Sequence, residues 1–229
     1  MNAAIIVAAG KGTRMGPDVD KLFLEVAGAP VVAHTWRAID NSNCIGHIVR
    51  VVRAGMESAF RELAAANSFK KPFTVVAGGR ERQDSVWNGC EALPAATEVV
   101  AIQDGARPCT SPELVAATVD AAREFGAAVA AQRVVDTIKE SADGRFIGLH
   151  LDRSRLYSVQ TPQTFRLTII RRALEHVRRE QVQITDDTAA CQLIGQEVKL
   201  VLSDAPNPKV TTPDDLPWID LLLRKRARS

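Results

Sequence analysis

Short apolar runs alternate along this chain with longer segments of helical period, and this alternation limits the possible folds more than any other feature. The runs are β-branched or alanine-rich, and glycine or polar residues follow most of them; they lie at residues 3–8, 45–52, 73–76, 98–102 and 127–131. Runs of this length and composition are typical of buried strands. Between them, apolar residues recur every three or four positions, as on helices with one buried face.

Two of the helical segments carry further signals. Ser111 suits the N-cap of the first, and Pro112 suits its first helical position. The second bears an apolar stripe along residues 167–177. Alternating strands and helices predict one Rossmann-like α/β domain over residues 1–229, with a mostly parallel sheet and helices on both faces. Ligands of such sheets bind beyond the carboxyl ends of the strands, where we expect the functional residues.

One segment, residues 134–165, departs from this alternation. No amphipathic helix fits it, and a polar turn at residues 141–144 separates two stretches that suit extended chain. We interpret it as an inserted β-arm. Because a projecting arm needs a surface to pack on, we expect it to bind a second subunit and form a homodimer. A lid over the protein's own site is the alternative.

Composition excludes several classes of protein. The chain has 229 residues, of which 46% are hydrophobic and 24% charged, which excludes disorder as the dominant state. The net charge of +2 gives no reason to expect a nucleic-acid partner. No stretch approaches the roughly 18 apolar residues of a membrane span, and we expect no membrane partner. The four cysteines are widely separated, which predicts reduced thiols and a cytoplasmic protein.

A glycine-rich segment follows the first predicted strand directly. It reads Ala-Ala-Gly-Lys-Gly-Thr-Arg-Met-Gly over residues 8–16, and Lys21 follows it. Glycines let backbone N–H groups approach phosphate oxygens, and Arg14 and Lys21 add positive charge. The dinucleotide fingerprint fails because it needs glycine where Met15 stands, and the P-loop pattern also fails. The segment therefore predicts a phosphate-binding loop suited to phosphoryl transfer; the alternative is a turn with solvated charges.

Polar residues also follow later strands. Asp104 at a strand end suits Mg²⁺, a ribose or a second substrate, and Arg107 suits a sugar phosphate; the alternative for the two is a simple ion pair. Lys209 precedes the last predicted helix, where it is either a point charge on a phosphate or merely exposed. The histidines and cysteines have no spacing that indicates covalent catalysis. The basic residues 224–228 are interpreted as a solvated helix end that suits the helix dipole.

The glycine-rich segment and seven later blocks together resemble one enzyme family. The blocks occur in the family's order and span nearly the whole chain; they lie at residues 78–86, 104–108, 135–137, 152–153, 160–163, 185–187 and 209–211. On these residues the sequence is similar to the 2-C-methyl-D-erythritol 4-phosphate cytidylyltransferases, within the sugar-nucleotide pyrophosphorylase-like nucleotidyltransferases. The resemblance implies transfer of a cytidylyl group from CTP to the sugar-alcohol phosphate, with release of pyrophosphate.

The resemblance also implies roles for individual residues. Nucleotide binding falls to Ala8, Ala9, Gly10, Gly12, Gly79, Arg82, Ser85 and Asp104. Binding of the sugar-alcohol phosphate falls to Asp104, Arg107, Thr137, Arg153, Thr161 and Lys209. The catalytic set is Arg14, Lys21, Arg153 and Lys209. The expected cofactor is Mg²⁺, or another divalent cation, held mainly by the CTP phosphates with Asp104 as a candidate ligand.

In the family the arm reaches across a homodimer, so the resemblance implies shared active sites. Thr137, Arg153 and Thr161 all fall within the predicted arm and would serve the neighbouring site. A salt bridge from Asp152 to nearby arginines is the simpler interpretation of this polar group. Helix capping is the simpler interpretation of Arg82 and Ser85.

Two other functions stay open at this point. A ribitol-5-phosphate cytidylyltransferase would share most of these blocks, and a nucleotide-binding regulator would keep the glycine loop without turnover. The sequence departs from the family's usual pattern at Gln103, where a histidine is usual, and at Val7, where many members have proline. Neither side chain is needed for the chemistry expected here.

Overall fold

The computed structural model describes residues 1–10, 12 and 20–228. The strands are β1 (Asn2–Ala8), β2 (Glu25–Val26), β3 (Ala29–Pro30), β4 (His47–Val52), β5 (Phe73–Ala77), β6 (Val99–Asp104), β7 (Ala127–Arg133), β8 (Lys139–Glu140), β9 (Leu149–His150), β10 (Tyr157–Arg166) and β11 (Lys199–Leu202). The helices are α1 (Val31–Asp40), α2 (Glu57–Asn67), α3 (Arg82–Glu91), α4 (Pro112–Phe125), α5 (Leu167–Arg179), α6 (Asp187–Leu193) and α7 (Asp215–Arg226).

A seven-stranded sheet in the described part of the chain organises the fold. Its order is β11-β7-β10-β6-β1-β4-β5, and every neighbouring pair is parallel except those that β10 makes with β6 and β7. All five strands predicted from the sequence are present in it. The mostly parallel sheet is therefore confirmed, with one antiparallel strand inside it that the sequence did not predict.

Helices cover both faces of the sheet, as predicted. Side chains of a strand alternate between faces: Ile6 of β1 packs into a core with α1, α2 and α4, whereas Ile5 packs into a second core with α3, α5 and α6. On each face of the sheet, the apolar stripes predicted for the helices pack against the strands. These two cores hold the sheet rigid, so that its strand ends can position polar groups.

Two helices, α4 and α5, show the local features that the sequence predicted for them. The Leu114 backbone N–H donates to the Ser111 Oγ at 3.2 Å, and Pro112 occupies the first turn of α4. Along α5 the stripe that contains Ile170 and Leu174 is buried against the sheet. Both predictions are confirmed. Among the described residues, none of the helices is both long and apolar enough to cross a membrane.

The predicted arm is present but ends earlier than expected. Strands β8 and β9 pair antiparallel as a small hairpin, and a short 3-10 helix, Arg153–Arg155, follows them. Residues 157–166 do not belong to the arm, because they form β10, an inner strand between β6 and β7. The arm boundary near residue 165 was wrong because the pattern of extended chain does not distinguish an arm from a sheet strand, and residues 160–164 are all buried in the central sheet.

Candidate active site

A crevice of about 660 Å³ opens at the carboxyl ends of the parallel strands. Loops that follow β1, β4, β5 and β6 form its walls. The described lining residues are Val7, Ala8, Ala9, Gly10, Lys21, Leu22, Arg53, Ala54, Gly78, Gly79, Arg80, Glu81, Arg82, Ser85, Asp104, Gly105, Ala106 and Lys209. The crevice therefore lies where an α/β sheet of this kind binds its ligand.

Asp104, the last residue of β6, is surrounded by three cations. The Lys209 Nζ donates to Asp104 Oδ2 at 2.7 Å. Arg82 lies 3.6 Å from Oδ1, and Arg107 lies 3.7 Å from Oδ2. Burial alone would raise the pKa of Asp104, but Lys209, Arg82 and Arg107 outweigh it and lower that pKa below its ordinary value. The carboxylate is thus held ionised, and the cluster carries a net positive charge toward the crevice.

Arg82 is fixed by a second carboxylate that the sequence analysis did not single out. Its Nη1 lies 2.8 Å from Oδ2 of Asp187, whose side chain is completely buried at the start of α6. Burial alone would lower the pKa of Arg82, but Asp187 and Asp104 raise it. The guanidinium therefore keeps its charge at the crevice wall. The only sequence signal for Asp187 was its place in the block at residues 185–187.

The two glycines after β5 form a wall on which no larger residue fits. A Cβ on Gly78 would lie 2.4 Å from the Ala9 Cβ, and one on Gly79 would lie 2.2 Å from the Asp84 Cβ. The Gly79 backbone N–H donates to Ser85 Oγ at 3.1 Å. Without these Cβ atoms the loop packs directly on Ala9 and on α3, and both glycines line the crevice.

Arg82 and Ser85 begin α3 as predicted, but neither caps it. Glu81 is the N-cap, in a capping box with Asp84. The Ser85 hydroxyl donates to the Glu81 carbonyl oxygen at 3.1 Å while accepting from the Gly79 backbone N–H. The capping interpretation of Arg82 and Ser85 was therefore wrong, and both side chains instead organise the crevice wall.

Lys21 lines the opposite side of the crevice. Its Nζ donates to the Val210 carbonyl oxygen at 2.8 Å, which ties the loop after β1 to the segment that carries Lys209. Gly12 has a φ of 62°, and a Cβ there would lie 3.3 Å from the Lys21 Cδ. Glycine thus suits both the backbone and the space at this position. Arg14, the other predicted cation of the loop, lies outside the described residues.

A buried polar network supports the strand end of Asp104. The Asp104 backbone N–H donates to Thr161 Oγ1 at 3.1 Å. The Asn207 Nδ2 donates to the Thr161 carbonyl oxygen at 2.9 Å, and the Asn207 Oδ1 accepts from the Thr110 hydroxyl at 3.0 Å. Gln103, one of the departures from the family's pattern, donates to Thr110 Oγ1 at 2.8 Å. The network fixes the backbone on which the cation cluster is built.

Thr161 therefore has a different place from the one expected. It is buried in β10, and its hydroxyl accepts from the backbone of the same chain's Asp104. Its assignment to the arm, and to the neighbouring subunit's site, was wrong. The physical reason is that β10 is an inner strand, so its side chains meet the strand ends of this subunit's own sheet.

Arg107 is hydrogen-bonded to the same network. Its Nη1 donates to the Asn207 carbonyl oxygen at 2.7 Å, and its Nε lies 3.7 Å from Asp104 Oδ2. The ion pair offered as the alternative for Asp104 and Arg107 exists, but it is the longest contact of a cluster that includes Lys209. Asp104, Arg107 and Lys209 lie together as the sequence analysis expected. It missed Asn207, whose only signal was its position two residues before Lys209.

Arg153 and Thr137 lie on the arm and do not line the crevice of their own subunit within the described part of the chain. The Arg153 Nη1 donates to the Val135 carbonyl oxygen at 2.7 Å. Asp152 accepts from the Ser154 backbone N–H at 3.0 Å and caps the 3-10 helix. No ion pair joins Asp152 to an arginine among the described residues, so the salt-bridge alternative finds no support.

A mostly parallel α/β sheet, a glycine-walled crevice at its strand ends and clustered cations together fit the class of nucleotide-dependent transferases. The sequence model described as 2-C-methyl-D-erythritol 4-phosphate cytidylyltransferase matches residues 2–225 of this chain. The chain belongs to this family, the cytidylyltransferases of the non-mevalonate isoprenoid pathway.

Individual relatives agree with the family. The enzyme of that name from Pelotomaculum thermopropionicum is 41% identical over 225 residues, covering 98% of this chain and 94% of its own. The one from Geobacillus kaustophilus is 41% identical over 223 residues, covering 97% of each chain. Both relatives are named as 2-C-methyl-D-erythritol 4-phosphate cytidylyltransferases, which confirms the family expected from the sequence. The alternative function, a ribitol-5-phosphate cytidylyltransferase, is not favoured.

Solved structures agree as well. The 4-diphosphocytidyl-2C-methyl-D-erythritol synthase of Anaerococcus prevotii superposes with a TM-score of 0.87 at 29% identity, covering 98% of this chain and 96% of its own. The 2-C-methyl-D-erythritol 4-phosphate cytidylyltransferase of Thermus thermophilus gives 0.79 at 30% identity, covering 98% and 100%. The fold expected from the alternation of strands and helices is thus confirmed over almost the whole chain.

Proposed function

We propose that the crevice binds CTP and 2-C-methyl-D-erythritol 4-phosphate side by side and transfers the cytidylyl group between them by direct displacement. The observation that carries this mechanism is the cluster of Lys209, Arg82 and Arg107 around Asp104, next to the glycine-walled crevice. The cluster presents positive charge where phosphate groups would meet. Preorganised charge of this kind stabilises a phosphoryl-transfer transition state.

In the proposed step an oxygen of the sugar-alcohol phosphate attacks the α-phosphorus of CTP in line. The new bond joins that oxygen to the α-phosphorus, and the bond between the α-phosphorus and the bridging oxygen of the β-phosphate breaks. Its electron pair leaves with pyrophosphate. No general base is required, because the second pKa of a phosphate monoester, about 6, leaves it mostly ionised at pH 7.

We assign neutralisation of the nucleotide phosphates to the loop after β1. Lys21 lines the crevice beside Ala9 and Gly10 and is steadied by the Val210 carbonyl oxygen. Small residues allow backbone N–H groups to approach phosphate oxygens. Arg14 stays a prediction for the same task. Lys21 and Arg14 would offset charge that develops on the α-phosphate and on the leaving pyrophosphate.

We assign the cytosine base to the wall formed by Gly78 and Gly79, with Ser85 behind it. Both glycines line the crevice, where their backbone can lie against a flat ring. The Ser85 hydroxyl orients the Gly79 amide, since the Gly79 N–H donates to it. Ala8 and Ala9 line the same end of the crevice with their small side chains.

Mg²⁺ fits the crevice as an ion held mainly by the triphosphate, and other divalent cations of similar size would fit as well. Among the described residues no group of three or more His, Cys, Asp or Glu side chains could hold a metal ion. Asp104 would be the protein ligand, although Lys209 already pairs with it. Mg²⁺ in nucleotide sites commonly takes one or two carboxylates and substrate phosphates, and when bound it neutralises phosphate charge.

The arm supports a homodimer with shared sites. Its apolar side chains are strongly exposed in one subunit: Val135 by 80%, Phe146 by 72% and Ile147 by 71%. An exposed apolar group of this kind marks an interaction surface. We propose that a second copy covers it and that Arg153 and Thr137 then reach the neighbour's sugar-alcohol phosphate, which Arg153 can bind through two N–H groups.

A cytoplasmic location stays a prediction. It rests on the cysteines, which are Cys44, Cys90, Cys109 and Cys191 and are all free thiols in the structure. Reduced thiols are the usual state in that compartment.

The test is pyrophosphate release from CTP and Mg²⁺, with methylerythritol phosphate and ribitol 5-phosphate in parallel. We expect rapid release with methylerythritol phosphate alone. Release with ribitol phosphate instead would contradict the substrate assignment. A Lys21→Ala variant distinguishes an enzyme from a nucleotide-binding regulator. An enzyme should show a large fall in kcat. A regulator would bind CTP but release no pyrophosphate with either sugar-alcohol phosphate, so it would have no turnover to lose.

A further inference from the structure

A second cavity, of about 570 Å³, lies outside the crevice and shares no described lining residue with it. It is open to solvent and lined by the turn between β2 and β3, by α1, by the segment after β6 and by the C-terminal end of α7. Its lining residues are Ala27, His34, Arg37, Ala38, Pro108, Thr110, Leu223, Arg224, Arg226, Ala227 and Arg228. We refer to it as the basic cavity.

Four arginines line the basic cavity, and within the described part of the chain one of them, Arg224, pairs with a carboxylate. The Arg224 Nε lies 2.6 Å from Asp220 Oδ2. The other oxygen of that carboxylate accepts from the Ala27 backbone N–H at 2.7 Å. Arg37, Arg226 and Arg228 form no ion pair with any described carboxylate. The described lining therefore carries an excess of positive charge.

Two of these arginines are held in place by neutral oxygens. Arg226 donates to the Cys109 carbonyl oxygen at 2.9 Å and to the Thr110 carbonyl oxygen at 3.2 Å. Arg37 donates to Asn67 Oδ1 at 2.8 Å. Neutral acceptors orient a guanidinium without neutralising it, so the charges stay available to a ligand. The end of α7 is thus more than the solvated helix terminus that its sequence indicated, since Arg226 docks onto the wall of the cavity.

From this arrangement we propose that the basic cavity is a second binding site, for a multiply charged phosphate anion of the diphosphate class. Planar guanidinium groups match phosphate oxygens in pairs, and several of them favour a ligand with more than one charge. Ala38, Pro108 and Leu223 add apolar surface between these charged groups. Inorganic pyrophosphate and inorganic phosphate both offer this chemistry.

The basic cavity lies one layer of residues from the cation cluster. Pro108 and Thr110 line it and lie one and three residues after Arg107 in the chain. The Thr110 hydroxyl donates to Asn207 Oδ1, and the Asn207 carbonyl oxygen accepts from Arg107. An anion bound between α1 and α7 would therefore act on the segment that positions Arg107. Pyrophosphate in particular is the product of the reaction proposed for the crevice.

Equilibrium dialysis of labelled pyrophosphate against the full chain tests the proposal. A saturating CTP analogue with a methylene bridge between the α- and β-phosphorus keeps the crevice occupied. We expect pyrophosphate to bind once per chain under these conditions, and inorganic phosphate to bind more weakly. Arg37→Gln and Arg228→Gln should each weaken the binding at least about tenfold, because each removes a charge-assisted contact.

Arg61→Gln is the matched control, since Arg61 is exposed on α2, away from the cavity, and its loss changes the net charge equally. Its binding should stay within twofold of the original. Pyrophosphate that binds only when the CTP analogue is omitted would overturn the proposal, because the crevice would then be the binding site. Equal weakening by all three substitutions would also overturn it. Arg228→Gln keeps the test valid if loss of the Arg37–Asn67 contact impairs folding.

Discussion

The ammonium group of Lys209 lies 2.7 Å from Oδ2 of Asp104, joining residues that are 105 positions apart in the chain. The contact closes the segment before α7 onto the carboxyl end of β6. A backbone hydrogen bond from the Val210 N–H to the Ala106 carbonyl oxygen, at 2.8 Å, runs beside it. The cation that we place on the attacking phosphate is thus held in position before substrate arrives.

Asp104→Asn should lower the free energy of unfolding by about 1–3 kcal/mol, because it leaves three neighbouring cations without their shared carboxylate. The effect is smaller than for a fully buried pair, because the side chain of Lys209 is 38% exposed. Urea unfolding at pH 7 measures it. Asp204→Asn, at an exposed position, is the control and should change stability by less than about 0.5 kcal/mol.

The pH dependence of that difference has a definite sign. The pKa of Asp104 is lower in the folded protein than its ordinary value. Its carboxylate therefore contributes stability that is present above the unfolded pKa, about 3.9, and is lost as pH falls through the folded pKa. The gap between the original protein and Asp104→Asn should be constant from pH 5 to pH 8 and should shrink below about pH 4. A gap that widened on acidification would contradict the ion-pair account.

Asn207→Ala should raise the KM for methylerythritol phosphate while leaving CTP affinity within about twofold. Asn207 is a positioning residue: its side chain joins Thr110 to the Thr161 carbonyl oxygen. Losing it leaves two buried polar groups unpaired, at about 1–3 kcal/mol each. Steady-state kinetics and urea unfolding measure the two effects. Asn43→Ala, at an exposed turn, is the control. An unchanged KM for methylerythritol phosphate in Asn207→Ala would show that Asn207 is not a positioning residue.

Gly79→Ala should weaken CTP binding at least about tenfold and lower the melting temperature. The added Cβ would lie 2.2 Å from the Asp84 Cβ, so the loop after β5 or the start of α3 must shift. The control is Gly46→Ala, whose Cβ would meet only the flexible end of Met1 at 3.4 Å and the Asn2 carbonyl oxygen at 3.7 Å. Calorimetric CTP titration reports the binding. Normal affinity in Gly79→Ala would show that this wall does not contact the nucleotide.

Replacing Phe146 and Ile147 together with serine should convert a dimer into monomers. These side chains are among the most exposed apolar groups of the arm, and loss of their burial would remove much of the association energy. Sedimentation equilibrium at micromolar concentration measures it, with Leu221→Ser on α7 as the exposed apolar control. If the unsubstituted protein is already a monomer, the proposal that Arg153 serves the neighbouring subunit's active site is wrong.

Much of this architecture follows from local patterns in the sequence. The predicted strands and the helices at Ser111 and Leu167 depend on neighbours a few positions away, and all were confirmed. Residues directly after strands, such as Asp104, could be assigned to the crevice because parallel strands end at a common edge. The local pattern left two interpretations of Lys209, a point charge on a phosphate or an exposed side chain, and the resemblance to a family assigned it to the site.

The features that the sequence analysis predicted wrongly or missed depend on contacts between residues far apart in the chain. Thr161 and Gln163 were assigned to the arm because their segment suits extended chain, yet Thr161 accepts from the Asp104 backbone and Gln163 donates to Asp186. A buried polar strand is stable only because partners far along the chain satisfy it. The Arg82–Asp187 pair is another such contact, spanning two helices that no local period connects.

Single-turnover kinetics of Lys209→Gln test the central claim most directly. The substitution leaves Arg82 and Arg107 beside Asp104, so we expect a folded protein with a near-normal melting temperature. Pyrophosphate formation at saturating CTP should slow at least about 100-fold, because a cation that stabilises the transition state is removed. CTP affinity should stay within about threefold. An unchanged rate, or a defect confined to CTP binding, would contradict the role of Lys209 at the attacking phosphate.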